Sequence, residues 1–255
     1  MKALEIDRLT KSFGGVKAVD GISFVIHEGE TVSIIGPNGA GKTTVFNLIT
    51  RFYTPDSGTI HFFGRNITRT EPYKLPRLGI GRTFQNLRLF QNMTVMENIR
   101  SAILHRHGYT LLSGIFRTKH YRDTEENARK KARELIAFLR LKGKERHLAR
   151  NLPYGEQRRL ELARALSIEP KLMLIDEPGA GMNPREIQDL VKTIQEIKET
   201  FKLTIVIIEH QMGLVMNISE RIIVMDFGEK IMEGTPDEVK KDKRVIEAYL
   251  GKEFV

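Results

Sequence analysis

The residues best suited to chemistry lie in one glycine-rich segment, which reads Gly36-Pro37-Asn38-Gly39-Ala40-Gly41-Lys42-Thr43-Thr44. Residues 36–43, here called the phosphate loop, fit the pattern G-x-x-x-x-G-K-[ST] and stand between an apolar run and a stretch with helical periodicity. Glycines let main-chain N–H groups converge on phosphate oxygens, and the start of a helix adds a favourable field. Lys42 would reach the β- and γ-phosphates, and the Thr43 hydroxyl would bind Mg²⁺. The segment therefore predicts a site for a nucleoside triphosphate and Mg²⁺.

A second group that could take part in chemistry is the acidic pair Asp176-Glu177, which follows the apolar run 172–175. A strand that ends in a carboxylate can deliver Asp176 to Mg²⁺ at the carboxyl edge of a parallel sheet. Glu177 could then accept a proton from an attacking water, as a general base. An acidic pair after a strand is also common as a simple cap, so the functional interpretation depends on the phosphate loop.

The elements that must position these residues alternate between strands and helices at both ends of the chain. Short strands are predicted at 3–9, 22–26, 31–35, 172–175, 203–208 and 222–225. Helices are predicted after Lys42 and from Asn183-Pro184, where proline suits the first helical turn. Uniformly apolar strands that alternate with helices indicate an α/β fold with a parallel sheet covered on both faces.

The middle of the chain has a different pattern, because strand signals disappear between about 87 and 153 and helical ones replace them. The apolar residues of 124–141 recur on one helical face, and this face contains Ala128, Ala132, Leu135, Ile136 and Leu139. Residues 105–121 are predicted to be a loop or insertion. We therefore predict a core of 1–86 and 154–234, a helical subdomain of about 87–153, and a C-terminal tail of 235–255.

Composition limits the class of protein. The 255 residues are 40% hydrophobic and 29% charged, which is typical of a globular protein, and the absence of cysteine excludes disulfides and thiol chemistry. No apolar run is long enough to span a bilayer, and no signal peptide is evident, so we expect a cytosolic location. The net charge of +9 fits an acidic partner such as nucleic acid, anionic lipid or nucleotide, or simply solvated basic helix faces.

Residues 152–166, Leu-Pro-Tyr-Gly-Glu-Gln-Arg-Arg-Leu-Glu-Leu-Ala-Arg-Ala-Leu, resemble the signature loop and helix of ABC-type ATPases, usually written LSGGQ. With the phosphate loop before it and the acidic pair after it, this segment makes the chain similar to that family over residues 4–250. The resemblance implies a P-loop NTPase fold, in which a RecA-like core and an antiparallel β-subdomain carry an inserted helical subdomain. It also implies that two such domains pack head to tail, with ATP between the phosphate loop of one and the signature loop of the other.

The resemblance assigns roles to single residues. Phe13 matches the aromatic residue that stacks on adenine, although a phenylalanine after a first strand could also belong to the core. Gln85 matches the glutamine that senses Mg²⁺ and joins the helical subdomain. His210 matches the histidine that contacts the γ-phosphate, although a lone histidine is more often structural. Gly155 would offer a main-chain contact to the nucleotide across the dimer.

Three positions depart from the family pattern. Pro153 replaces the signature serine, whose hydroxyl would touch the γ-phosphate of the other subunit, and Tyr154 replaces the first signature glycine. Asn183 places an amide where the family usually has a carboxylate. We expect weaker coupling across the dimer than in a strict LSGGQ protein.

Within the family, the chain looks most like the ATPases of branched-chain amino acid importers, through its signature run, Arg82-Thr83-Phe84-Gln85 and its length. Urea-type importers and the ATPase of lipopolysaccharide export share some of these features, and a non-transport ABC ATPase is a further alternative. The resemblance implies ATP and Mg²⁺ as ligands, a homodimer or a heterodimer with a second ATPase, and a place at the cytoplasmic face of the membrane. It implies polytopic permease subunits docked on residues 86–90, an extracytoplasmic solute-binding protein as an indirect partner, and no nucleic acid.

Overall fold

The computed structural model describes residues 1–107 and 118–250, which fall into two compact units. The first unit contains Met1–Leu75 and the chain from Lys171 onward, and the second contains Pro76–Pro170. None of the described helices combines the length and the apolar character needed to span a bilayer. Much of the segment predicted as a loop or insertion, 108–117, lies outside the described residues.

The strands of the first unit build two kinds of sheet. They are β1 (Lys2–Phe13), β2 (Val16–His27), β3 (Thr31–Ile35), β4 (Ser57–Phe62), β5 (Arg65–Asn66), β7 (Leu172–Asp176), β8 (Thr204–Ile208), β9 (Arg221–Asp226) and β10 (Glu229–Gly234). An antiparallel sheet has the order β2-β1-β4-β5. In the other sheet the neighbours are β10-β9-β3-β8-β7, where β9, β3, β8 and β7 run parallel and β10 is antiparallel. The predicted α/β class with an antiparallel β-subdomain is confirmed.

Helices cover the sheets and form most of the second unit. The α-helices are α1 (Lys42–Ile49), α2 (Leu75–Leu78), α3 (Val95–His107), α4 (Lys119–Phe138), α5 (Tyr154–Leu166), α6 (Pro184–Phe201), α7 (Met212–Ile218), α8 (Pro236–Lys241) and α9 (Lys243–Leu250). Short 3-10 turns occur at Pro72–Lys74 and Ala149–Asn151, and the second unit also holds the short strand β6 (Ile80–Arg82).

The core of the first unit lies around β3, β7 and β8, in which every residue is buried. Parallel strands covered on both faces need side chains that tolerate burial on either side, which explains their uniformly apolar sequences. Helix α6 begins at a capping box, because the Asn183 side chain accepts the N–H groups of Arg185 and Glu186, and Glu186 in turn accepts the N–H of Asn183. Asn183 therefore has a structural task at the position where the family usually carries a carboxylate.

The second unit is larger than the predicted helical subdomain of 87–153. Helix α4 buries its predicted apolar face, at Ala128, Ala132, Leu135 and Ile136. The signature helix α5 and residues around Gln85 also belong to this unit, because long-range hydrogen bonds join Arg158 of α5 to the carbonyl oxygens of Phe84 and Gln85. Such bonds between residues more than 70 positions apart leave no trace in a local pattern.

Residues 235–250 of the segment predicted as a C-terminal tail are part of the packed first unit, and 251–255 lie outside the described residues. Helix α8 begins with a capping box between Thr235 and Glu238, which satisfies main-chain N–H groups at its start. Val239 and Val245 are buried in a cluster that contains Ile35 of β3. Residues 235–250 are therefore two folded helices, and their apolar side chains contribute to the core.

Candidate functional site

Three parallel strands bring the predicted chemical groups of the first unit to one edge of the sheet. Ile34 of β3 and Asp176 of β7 both pair with Ile208 of β8, from opposite sides. The phosphate loop, the acidic pair and the segment Glu209-His210 therefore leave the sheet at the same level. Adjacent strands lie about 4.8 Å apart, so the ends of β3 and β7 are about 10 Å apart. The carboxyl edge of a parallel sheet is the usual place for a ligand site.

The phosphate loop requires glycine at two points for steric reasons. Gly36 has φ 151°, and a Cβ atom there would lie 2.0 Å from the carbonyl oxygen of Met225. Gly41 has φ 96°, and a Cβ atom there would lie 2.1 Å from the carbonyl oxygen of Ala18. The loop thus packs its backbone directly against two neighbouring segments, which only glycine permits.

Lys42 is buried at the base of this loop. Its Nζ atom donates to the carbonyl oxygens of Gly36 at 2.7 Å and Pro37 at 2.9 Å, and the residue is 6% exposed. Thr43 is exposed beside it, and Thr44 is half-buried. Helix α1 starts at Gly41, and no described side chain caps it. An uncapped helix start next to a lysine ammonium group is suited to an anion such as phosphate.

The acidic pair lies at the end of β7. Asp176 is buried at 2% exposure, whereas the Glu177 side chain is 16% exposed. The Glu177 main-chain N–H donates to the carbonyl oxygen of Ile208, and its φ of 43° lies in the left-handed region. A non-glycine residue in this region is strained, and such residues concentrate at functional sites.

Glu209 is a site residue to which the sequence pattern assigned no role. It is fully buried, and its carboxylate accepts the main-chain N–H groups of Gly179 (3.0 Å), His210 (2.8 Å) and Gln211 (3.0 Å). It therefore joins the loop after β7 to the loop after β8. His210 is about half exposed, and its Nδ1 atom lies 3.4 Å from Oε1 of Glu209 and 3.8 Å from Oε2 of Glu177. The sequence contains one signal that could have identified Glu209, which is the position of a carboxylate directly after an apolar strand.

Phe13 lies at the surface of the first unit. Its exposure is 42%, so it is not a core residue, and its ring makes an edge contact with Tyr53 at 4.9 Å between centroids. Lys11 Nζ lies 5.4 Å from the centre of the Phe13 ring. Two exposed aromatic rings beside a lysine can accept a flat heterocycle by stacking. Tyr53 was not predicted as part of this group.

The donors at the sheet edge fit Mg²⁺ as well as phosphate. The Thr43 hydroxyl and the Asp176 carboxylate are oxygen ligands, which Mg²⁺ prefers, and one or two protein oxygens are enough when phosphates and water complete its shell. No group of three or more His, Asp or Glu side chains arranged to hold a metal on its own occurs in the part of the chain that the structure describes.

The signature loop lies in the second unit. Pro153 occupies the N-cap of α5 and contributes no side-chain cap, and Gly155 is half-buried in the first turn. Tyr154 is 44% exposed, and its hydroxyl accepts a hydrogen bond from Arg158 Nε at 3.1 Å. The proline thus permits the helix to start, while removing the hydroxyl that a serine would present.

A buried ion pair connects α5 to the segment that carries Gln85. Arg158 and Glu161 are 3.1 Å apart and almost fully buried. Arg158 donates to the carbonyl oxygens of Phe84 and Gln85, and Glu161 accepts the Phe84 N–H. Burial raises the pKa of the Glu161 carboxyl, and the Arg158 guanidinium opposes that shift. The Gln85 side chain remains exposed.

The structure thus brings together the phosphate loop, Asp176, Glu177 and His210 at one edge of the sheet in the first unit, with Phe13 on the surface of the same unit. Gln85 and Gly155 belong to the second unit. The residues proposed as a permease groove differ among themselves, since Leu89 is buried and Phe90 is 49% exposed. Leu89 therefore belongs to the core of its unit, and Phe90 is available at the surface.

Comparisons with known proteins agree with this geometry. The family model described as ABC transporter matches residues 19–180, and that described as Branched-chain amino acid ATP-binding cassette transporter matches residues 229–255. The chain is 43% identical to the high-affinity branched-chain amino acid transport ATP-binding protein BraF of Pseudomonas aeruginosa, over 97% of both chains.

Two solved structures extend the comparison. An ATP-binding cassette of an ABC transporter in its ADP conformation is 35% identical, with a TM-score of 0.84 over 98% of this chain and 99% of that one. A dimeric ATP-binding cassette in a post-hydrolysis state, bound to ADP and phosphate, is 25% identical. Its TM-score is 0.77 over 91% of this chain and 98% of that one.

Proposed function

Because this chain belongs to the ABC transporter family and is an ATP-hydrolysing cassette of it, we propose that it powers the import of branched-chain amino acids through a membrane permease. The observation that carries the proposal is the match of residues 229–255 to the branched-chain model, beyond the general cassette match at 19–180. BraF, a branched-chain amino acid transport ATP-binding protein, is matched along 97% of its length.

The chemistry assigned to the sheet edge is hydrolysis of the γ-phosphate bond. Lys42 and the start of α1 hold the phosphates, and Thr43 and Asp176 would hold Mg²⁺. Bound there, Mg²⁺ would supply positive charge beside the phosphate oxygens. Glu177 takes a proton from the attacking water, and its strained backbone supports a functional position. His210 contacts the γ-phosphate, and Glu209 holds the backbone of that histidine in place.

The remaining contacts to nucleotide come from the aromatic pair and from a second subunit. Phe13 stacks on adenine, and Tyr53 supports the ring from its edge. Gly155 of a second cassette approaches the nucleotide through its main chain, in a homodimer or in a heterodimer with another ATPase. The similarity to a dimeric cassette bound to ADP and phosphate supports this arrangement.

The membrane partners dock on the second unit. The exposed ring of Phe90, together with the exposed side chains of Asn86 and Arg88, offers a surface to a cytoplasmic helix of a polytopic permease subunit. The chain would therefore act at the cytoplasmic face of the membrane, as a peripheral subunit. A solute-binding protein on the other side would deliver the amino acid to the permease.

The test is transport by the membrane complex that co-purifies with this chain. The complex is reconstituted in liposomes with ATP and the co-purified solute-binding protein, and uptake of labelled leucine, isoleucine and valine is compared with uptake of labelled urea. We expect ATP-dependent uptake of the three amino acids, and no uptake when the complex carries Glu177→Gln. Uptake of urea alone, or amino acid uptake that does not depend on ATP, would contradict the proposal.

A further inference from the structure

The C-terminal helix α9 packs directly beneath the phosphate loop. Val245 is 5% exposed and joins a buried cluster that includes Ile35, the residue before Gly36. The cluster also contains Val215 of α7, and Met212 and Met216 of the same helix pack against it. Helix α7 begins two residues after His210. The C-terminal helix therefore touches the elements that lead into the phosphate loop and out of the His210 segment.

Much of this cluster comes from the region that matches the branched-chain family model, 229–255. That region supplies five of the apolar side chains, which are Ile231, Met232, Val239, Val245 and Tyr249. The rest of the chain supplies Ile35, Val215, Ile222 and Val224. The C-terminal segment is thus joined to the base of the nucleotide site through side chains that are buried or partly buried.

Tyr249 adds a polar group to this apolar contact. Its position four residues after Val245 places both side chains on the same face of α9. The hydroxyl oxygen is buried and makes no well-formed hydrogen bond with the described residues, although the main-chain N–H of Gly36 faces it. Burial raises the pKa of Tyr249, so the hydroxyl stays neutral at physiological pH. A buried hydroxyl without a good partner is costly, whereas a phenylalanine would fill the same space without that cost.

Gly36 is approached at both of its main-chain polar groups, the N–H of the peptide group before it and the carbonyl of the peptide group after it. On one side the Tyr249 hydroxyl faces its N–H, and on the other side its carbonyl oxygen accepts Lys42 Nζ at 2.7 Å. Any movement of Lys42 towards a phosphate changes the second contact, and a small rotation about the Gly36 backbone bonds that join the two peptide groups changes the first. Gly36 can make this rotation because no side chain restricts its backbone.

We propose that Tyr249 is a positioning residue of the phosphate loop, whose hydroxyl completes a hydrogen bond with the Gly36 N–H when nucleotide is bound. The bond stabilises the nucleotide-bound form of the loop, and it does not stabilise the form without nucleotide. The C-terminal helix of the branched-chain type of cassette is thereby coupled to nucleotide affinity. This inference rests on the assignment of nucleotide binding to the phosphate loop.

The test compares Tyr249→Phe with wild type and with Tyr73→Phe, a control at an exposed tyrosine whose hydroxyl contacts Glu71. Calorimetry gives the Kd for MgATP and MgADP, and thermal unfolding without nucleotide gives Tm. We expect Tyr249→Phe to weaken binding of both nucleotides by about 3- to 10-fold, the effect of one hydrogen bond. Its Tm should equal or exceed that of wild type, and Tyr73→Phe should leave both Kd values unchanged.

Three results would overturn the inference. An unchanged Kd in Tyr249→Phe would mean that the hydroxyl has no part in binding. A weaker Kd accompanied by a lower Tm without nucleotide would indicate a general structural role instead. Absence of binding by wild type would remove the nucleotide assignment itself and this inference with it, whereas normal wild-type binding with an unchanged variant removes the inference alone.

Discussion

The buried carboxylate of Glu209 accepts the main-chain N–H of His210 at 2.8 Å, and the same group accepts the N–H of Gly179 from a different loop. One side chain therefore fixes the relative positions of the segments that follow β7 and β8. A carboxylate suits this task because it accepts several hydrogen bonds and carries no hydrogen that would compete.

Replacing Glu209 with glutamine should damage both stability and turnover. Glu209→Gln turns an NH₂ group towards main-chain N–H donors, which leaves buried donors unsatisfied and costs about 1–3 kcal/mol. We expect Tm to fall by roughly 3–10 °C and ATP hydrolysis to fall by about tenfold. Glu220→Gln is the matched control. Glu220 forms an exposed ion pair with Lys198, and such a pair contributes little to the free energy of unfolding. If the two variants behaved alike in Tm and turnover, the proposed role of Glu209 would be wrong.

Glu177→Gln should abolish hydrolysis while leaving nucleotide binding intact. The amide cannot accept a proton from water, so the rate should fall by about 10² or more. ATP should then accumulate in a stable dimer, which light scattering after gel filtration would detect. Glu199→Gln, at an exposed position of α6, should keep the wild-type rate. A wild-type rate in Glu177→Gln would remove this residue from the role of base.

Phe13 can be tested separately from the phosphate contacts. Phe13→Ala should weaken ATP binding by about tenfold or more, the typical effect of losing one aromatic stack on a base, and Phe13→Tyr should retain it. Inorganic tripolyphosphate has no base, so its affinity should be the same in wild type and Phe13→Ala. Phe201→Ala, at another exposed phenylalanine, serves as a control. Equal loss of affinity for ATP and tripolyphosphate would show that Phe13 supports the loop and not adenine.

The buried pair in the second unit predicts a large effect on stability. Arg158→Met removes the partner of Glu161 and the donors to Phe84 and Gln85, so we expect a loss of about 3–5 kcal/mol in urea unfolding. The double variant Arg158→Met/Glu161→Leu should recover much of that loss, because no unpaired charge then remains. Arg159→Met, at the next position of α5, should change stability little. A loss below about 1 kcal/mol in Arg158→Met would contradict the role given to the pair.

Local patterns predicted the buried centre of the first unit well. Strands β3 and β8 are apolar at nearly every position because helices cover both of their faces, so their sequence is distinctive. Strands β4 and β10 were missed, since Ser57–Phe62 and Glu229–Gly234 mix polar and apolar residues and are only partly buried. Partial burial removes the continuous apolar signal on which the prediction relied.

The site was predictable where a short motif carries the chemistry and not where distant residues meet. The phosphate loop and Asp176-Glu177 each reveal their chemistry within a few positions. One partner of Glu209, Gly179, lies on a second loop, and two acceptors of Arg158, the carbonyl oxygens of Phe84 and Gln85, lie more than 70 residues away. Tyr53 also joins Phe13 only through the fold. The compact unit that contains α5 spans 76–170, and the long-range bonds of α5 to Phe84 and Gln85 lie within it.

Calorimetric titration with MgATP is the most direct test of the central claim, that the phosphate loop binds a nucleoside triphosphate. We predict saturable binding by wild type and at least about 10- to 100-fold weaker binding by Lys42→Ala, which loses charge-assisted hydrogen bonds to phosphate. Lys230→Ala, which removes an exposed lysine paired with Glu233, should bind as wild type does. No saturable binding by folded wild type, or equal affinity in Lys42→Ala, would contradict the claim.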